Sequence, residues 1–301
     1  MLKQRLTVAL SSACVCVLIV LSLIHADAAA DAARDGLTLS ATAIVPALFA
    51  FSVLARSLAQ IGFPPFITKI LPVHRLLGLP ECASPVILCG LIGGFPVGAM
   101  LTSDLYKSGR LSKGEAARLS AVSSNVSPAF LIGVVGRLFS SASFGAVLWT
   151  AQSAAAILAG SLMRFLPDGT RTAPTEIPKT KKSGVIGVLC SSVASSASAC
   201  VVVTGYIVFF RVVAAVLGEV LPSMYGVMSL VFEFSGGVSY AAKIGSHAAC
   251  GFTVGLGGLS AIMQTVNYTE SDGVSMIPTL FSKLICALVL SVVGWMFGVM
   301  M

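Results

Sequence analysis

The stretch Gly90-Leu91-Ile92-Gly93-Gly94-Phe95-Pro96-Val97-Gly98-Ala99 lies inside an apolar run, residues 84–102, and decides how the chain is read. A glycine pair followed by Phe-Pro interrupts a helix. Glycine adopts backbone conformations closed to other residues, and proline cannot continue the hydrogen-bond ladder. In lipid an interrupted helix exposes N–H and C=O groups that only protein, water or a ligand can satisfy. The run therefore reads as a re-entrant hairpin that enters and leaves on one side of a membrane, turning at Gly93–Gly98.

The rest of the chain supplies the setting. Of its 301 residues 56% are hydrophobic and only 10% charged, and the mean hydropathy is +0.95. A soluble domain is about one quarter charged, so lipid must solvate much of this surface. A span needs ~20 residues, and the length allows about eight such segments. Apolar runs at 6–24, 39–61, 144–166 and 278–299 read as plain spans, with Pro46 a kink in the second. Runs at 119–138, 225–244 and 247–266 are each broken by small polar residues. Run 185–220 is too long for one span, and its Ser/Ala-rich first half reads as a close-packing or interfacial helix. Lys3 and Arg5 precede run 6–24 and His25-Ala26-Asp27-Ala28 follows it, as in a signal peptide. The length of the run is that of a span, so it reads as an uncleaved first helix.

Charge sets orientation. The net charge of +7 clusters between apolar runs, as the positive-inside rule expects. Lys3 and Arg5 form one cluster, and Lys69, His74 and Arg75 a second. Lys107, Arg110, Lys113 and Arg118 form a third, and Arg164, Arg171, Lys179, Lys181 and Lys182 a fourth. All can face the cytoplasm only if run 84–102 is a hairpin. Ser112 and Glu115 form a capping box that starts a helix, and Gly109 suits the end of the helix before it. No basic patch is interleaved with aromatics, which excludes nucleic-acid binding. The eight cysteines lack metal-ligand spacing and read as small apolar residues with reduced thiols.

The segments on either side of the basic linker repeat. An aromatic-rich span (Ala47–Leu54; Gly205–Arg211) precedes a glycine-broken hairpin (Gly93-Gly94-Phe95-Pro96; Ser235-Gly236-Gly237). A helix broken by small residues follows (Ser123-Ser124-Asn125-Val126-Ser127-Pro128; Gly255-Leu256-Gly257-Gly258-Leu259-Ser260), and then a closing span. Counting crossings, the two copies face opposite sides. The expected fold is an all-α polytopic membrane protein with an inverted repeat, two re-entrant hairpins and two broken transmembrane helices. Residues 1–36 form an N-terminal transmembrane helix and acidic external loop, 37–166 the first repeat, 167–184 a basic cytoplasmic linker and 185–301 the second, inverted repeat. Matched helix breaks near the midplane are where secondary transporters bind their solutes.

Charges inside the apolar runs are the remaining candidates, because a carboxylate at mid-membrane costs several kcal/mol unless paired, hydrated or protonated. Glu233 reads as a ligand for substrate or cation, or a proton carrier; the alternative is a structural partner for Arg211 or Lys243. Arg211 reads as snorkelling to the outer interface and Lys283 to the inner one. Asp104, Tyr106 and Lys107 read as interfacial anchors. No P-loop, HExxH or intramembrane Ser/His or Asp pair is present, so no enzyme is expected and ATP hydrolysis cannot drive transport in this chain.

The blocks Gly90–Ala99, Thr102-Ser103-Asp104-Leu105-Tyr106-Lys107-Ser108-Gly109, Glu115–Leu119 and Ser123-Ser124-Asn125 resemble the YlbJ (SpoVV) family of sporulation integral membrane proteins. So do Glu233-Phe234-Ser235-Gly236-Gly237, Leu256–Ser260 and Gln264. That family belongs with the nucleoside-recognition gate membrane proteins, which are similar in layout to concentrative nucleoside transporters. The resemblance implies dipicolinate transport across a membrane surrounding the forespore of a spore-forming Firmicute. It implies that Gly93, Gly94, Phe95 and Pro96, with Glu233, Ser235, Gly236 and Gly237, hold a small-molecule solute. It implies further that Ser123, Ser124 and Asn125 touch the solute or a coupling cation, Na+ or H+, and that Gly257, Gly258, Ser260 and Gln264 complete the site without other cofactor. A nucleoside-type carrier, or a non-transporting scaffold of a sporulation complex, remains as an alternative. Location in a bacterial cell membrane and a homo-oligomeric state are compatible with the sequence.

Overall fold

The computed structural model describes residues 2–64, 72–165 and 184–301; Lys69 and residues 167–183 of the basic linker lie outside the described residues. The described residues form helices joined by short turns and irregular stretches, with no strand among them. Among the described residues seven helices are long and apolar enough to cross a membrane, by length and composition. Helix α1 (Leu2–Ile24) is largely exposed over residues 6–24, as a lipid-facing helix is.

Helices α2 (Ala26–Leu39) and α3 (Val45–Ile61) run on through a π turn at Ser40–Ile44. Pro46 stands in the first turn of α3. The wide turn before it accommodates the missing N–H and the ring bulk that an α turn would not, so the expected kink is a π turn. The segment expected as an acidic external loop is helix α2. Its alanines favour helix, and Asp31 accepts from Arg34 Nη1 at 2.7 Å one turn on.

After the short helix α4 (Val73–Leu77) come α5 (Ala83–Gly93) and α6 (Val97–Lys107), the two arms of the first hairpin. Each arm has 11 residues, about 16 Å of helix and half the hydrocarbon thickness. Helix α6 ends where expected, with Gly109 N–H donating to the Tyr106 carbonyl (2.9 Å) and Arg110 N–H to that of Leu105 (3.0 Å). The Ser112–Glu115 capping box then starts α7 (Lys113–Ser123): Ser112 N–H meets Glu115 Oε2 at 2.8 Å and Glu115 N–H meets Ser112 Oγ at 3.3 Å. Residues 124–127 are extended, and α8 (128–138) resumes with Ser127 as its cap. Helix α9 (Ala142–Met163) closes the first half.

Six further helices follow among the described residues after the linker. Helix α10 (Val185–Val220) is one unbroken 36-residue helix, so its Ser/Ala-rich first half continues the span rather than forming a separate interfacial piece. Small serines there allow close packing: Ser192 and Ser196 are buried. Then come α11 (Tyr225–Phe232), α12 (Phe234–Lys243), α13 (His247–Leu256), α14 (Gly258–Thr269) and α15 (Ile277–Met300).

Two pairs of long helices run antiparallel. A Cβ on Gly36 would contact Val208 and Arg211, whereas Gln60 bonds Ser192 (3.5 Å) and Ser191 (3.4 Å), so α2–α3 and α10 point in opposite directions. The ring of Phe144 at the start of α9 lies tilted 5.0 Å from that of Phe297 at the end of α15, and Ile285 near the start of α15 packs on the cluster that holds Ala159 and Met163 at the end of α9. Lipid gives packed helices little hydrophobic drive, so close approach through small residues must hold them. Gly251 and Gly255 of α13 lie against Leu290 and Cys286 of α15, with no space for a side chain.

Candidate functional site

Three of the four breaks fall where the sequence placed them. The first spans Gly94–Pro96, the second residues 124–127, and the fourth Gly257, a left-handed residue (φ +76°) joining α13 to α14. The third is displaced: the chain breaks at Glu233, and Ser235, Gly236 and Gly237 lie in the first turn of α12.

The breaks meet pairwise and then as a group. Glycines 90 and 98 press their backbone against the Ser123 carbonyl, and a Cβ on Gly94 would stand 2.8 Å from Ser127 N. In the second half a Cβ on Gly258 would stand 2.9 Å from Phe234 N. The halves join where Phe95 lies against Gly257 and where the rings of Phe130 and Phe234 meet edge-on at 5.0 Å.

Each break strands backbone groups, and neighbouring helices satisfy many of them. Trp149 Nε1 donates to the Leu91 carbonyl (3.0 Å), Asn125 Nδ2 to Val122 (2.6 Å), Gln152 Nε2 to Val126 (3.0 Å) and Thr253 Oγ1 to Leu230 (2.7 Å). Trp149, Gln152 and Thr253 are contributors that sequence reasoning missed. Gln152, an amide inside a span, was the one legible signal.

Glu233 pairs with Arg211, one of the two partners the sequence offered for it. It is 1% exposed and caps α12. It accepts from Ser235 N–H (3.0 Å), Gly236 N–H (2.8 Å) and the Ser235 hydroxyl. Arg211 Nε donates to it at 3.1 Å, and Arg211 Nη2 to Ser235 Oγ at 3.1 Å. Arg211 therefore turns inward to this carboxylate instead of snorkelling outward.

Lys283 also departs from expectation. It is 1% exposed, and its Nζ donates to the Ser124 carbonyl and to Asn125 Oδ1 (3.0 Å), 4.7 Å from the centre of the Phe95 ring. Among the described residues no carboxylate pairs with it. At the far end of α6, Asp104 pairs with Arg56 of α3 (2.9 Å) and Lys107 with Asp272 (3.4 Å), so these residues tie helices together.

A cavity of about 240 Å³ opens beside the junction, between α3 and α10. Of the expected site residues, Gly93, Gly94, Phe95 and Gln264 line it. Phe51, Ser127, Phe130 and Phe234 line it too, and most of the wall is apolar. Pro96, Ser123, Ser124, Asn125, Gly257, Gly258 and Ser260 are not in this wall, and Glu233 and Gly236 line a second cavity of about 110 Å³ together with Arg211. Among the described residues the Gln264 amide nitrogen, buried at the wall, has no hydrogen-bond partner, and neither do the buried hydroxyls of Ser124 and Ser260.

With this geometry in view, comparison with known proteins adds one relative. The chain is similar to the sporulation integral membrane protein YlbJ of Bacillus subtilis. The two are 30% identical over 143 residues, which is 46% of this chain and 35% of YlbJ. The similarity thus spans about a third of that relative's length. No protein-family model matches the chain, and no solved structure matches it. The apolar helices and the likeness to YlbJ together make this an integral membrane protein.

Proposed function

We propose that the protein is a secondary-type carrier of a small polar organic solute, held where the four helix breaks converge. The observation that carries this reading is the convergence itself. Broken helices in matched places meet at one cavity, in halves whose outer helices run antiparallel. Inverted repeats with unwound segments at their interface suit alternating access, because one half can rock against the other around a fixed site. At about 240 Å³ the cavity is smaller than the roughly 300–1,000 Å³ of sites for drug-sized ligands, which favours a small solute. The free amide of Gln264 and the uncapped start of α14 supply donors for it.

Arg211 removes an objection to an anionic solute. A lone Glu233 carboxylate would repel it, whereas the Arg211–Glu233 pair carries no net charge. Taken with the likeness to YlbJ, this favours a small carboxylate such as dipicolinate, moved during sporulation. In this reading the chain is a carrier and not an enzyme.

The test is flux into proteoliposomes holding the purified protein, with dipicolinate, nucleosides and small carboxylates offered in turn. Saturable uptake of a carboxylate is expected. Folded protein that moves none of the solutes would leave a scaffold within a sporulation complex as the better description.

A further inference from the structure

We infer that Lys283 is a built-in cation: its ammonium occupies the position at the second helix break where a free alkali ion would otherwise bind. The proposal stands on the local geometry and does not require that the protein be a carrier.

Three observations converge on it. The Ser124 carbonyl and Asn125 Oδ1, the two oxygens that receive Nζ, belong to the extended segment between α7 and α8. A main-chain carbonyl and an amide oxygen form the neutral, hard donor set that suits an alkali cation as well as an ammonium. The amide orientation is fixed, because Asn125 Nδ2 is committed to the Val122 carbonyl at 2.6 Å, so Oδ1 must face the lysine. The face of the Phe95 ring completes the surround at 4.7 Å, a cation–π distance.

The enclosure argues for the cation and against an anchor for the solute. Lys283 is 1% exposed and is not part of the cavity wall; Phe95 stands on that wall and also against Nζ. A buried cation paired with no carboxylate would be costly unless it did structural work. Here it joins the last helix, α15, to the second break and, through Phe95, to the tip of the first hairpin. A tethered cation performs that task at any external ion concentration.

The consequence is specific. The protein should need no sodium to hold the junction, and removal of the lysine amine should create a need for it. The experiment is thermal unfolding of the purified full-length chain in detergent, titrated with NaCl against choline chloride at constant ionic strength, for wild type and for Lys283→Met. Wild type is expected to show no saturable Na+ effect. K283M is expected to melt several degrees lower in choline and to rise saturably with Na+. A saturable Na+ effect on wild type, or a folded K283M indifferent to Na+, would overturn the proposal. If K283M cannot be purified in choline but can be in NaCl, that supports it. If the variant fails in both, the wild-type titration decides alone, with a saturable shift against the proposal and none in its favour.

Discussion

Replacing Glu233 by alanine is expected to destabilise the folded protein by about 3–5 kcal/mol, the usual result of removing one partner from a buried ion pair. The loss has two parts. Arg211, mostly shielded between α10 and the second hairpin, loses its carboxylate and keeps its charge. Helix α12 also loses the acceptor for Ser235 N–H and Gly236 N–H, and a lost helix cap costs ~1 kcal/mol. Glu233→Gln keeps an acceptor and should fall between alanine and wild type. The double variant R211M/E233A should recover part of the loss, because a buried pair replaced by apolar groups is often close to neutral. Denaturation of the detergent-solubilised protein measures all four proteins. If E233A lay within ~1 kcal/mol of wild type, where substitutions at exposed positions commonly fall, the carboxylate would not be the clamp described here.

Gly94→Ala should be nearly as damaging although it adds a single methyl. Gly94 sits at φ +77°, ψ −168°, in a region populated almost only by glycine. Strain of that kind costs about 1–3 kcal/mol. The new Cβ would stand 2.8 Å from Ser127 N and 2.9 Å from Ser127 Cβ, so the hairpin tip and the second break must separate. Forcing extra atoms into a packed interface adds about 1–3 kcal/mol. Gly94→Leu should abolish flux outright, because it wedges the wall of the cavity. Gly205→Ala, in the middle of α10 with open space around it, is the control. It should be neutral or gain up to ~1 kcal/mol of helix propensity. Equal stability of G94A and G205A would mean that the two breaks are not pressed together.

What could be read from the sequence was local. Gly94-Phe95-Pro96, the Ser123–Pro128 segment and Gly257 break helices through their own backbone chemistry, so their positions were legible without a fold. The capping box and the close of α6 at Gly109 were legible for the same reason. The third break falls at Glu233 and not at the glycines, because its carboxylate replaces the lost helix bonds. Residues 26–36 misled through Asp27, Asp31 and Asp35, which suggested water and a loop, although the alanines between them favour helix. The environments of Arg211 and Lys283 were not legible. Each is set by a partner 22 or 158 residues away in the chain, and that distance is closed only by packing. The apolar wall of the cavity is illegible for the same reason: Phe51, Phe130 and Phe234 look like ordinary membrane residues until the breaks bring them together.

The central claim is that the two hairpins are inverted copies reaching one site from opposite faces, and side-specific labelling tests it most directly. Single cysteines placed at Arg110, just beyond the base of the first hairpin, and at Met224, just before the second, are both exposed positions. In a background without the eight native cysteines, each is challenged with a membrane-impermeant maleimide in right-side-out and inside-out vesicles. The account predicts that R110C reacts only from the cytoplasmic side and M224C only from the other. Labelling of both from the same side would contradict it.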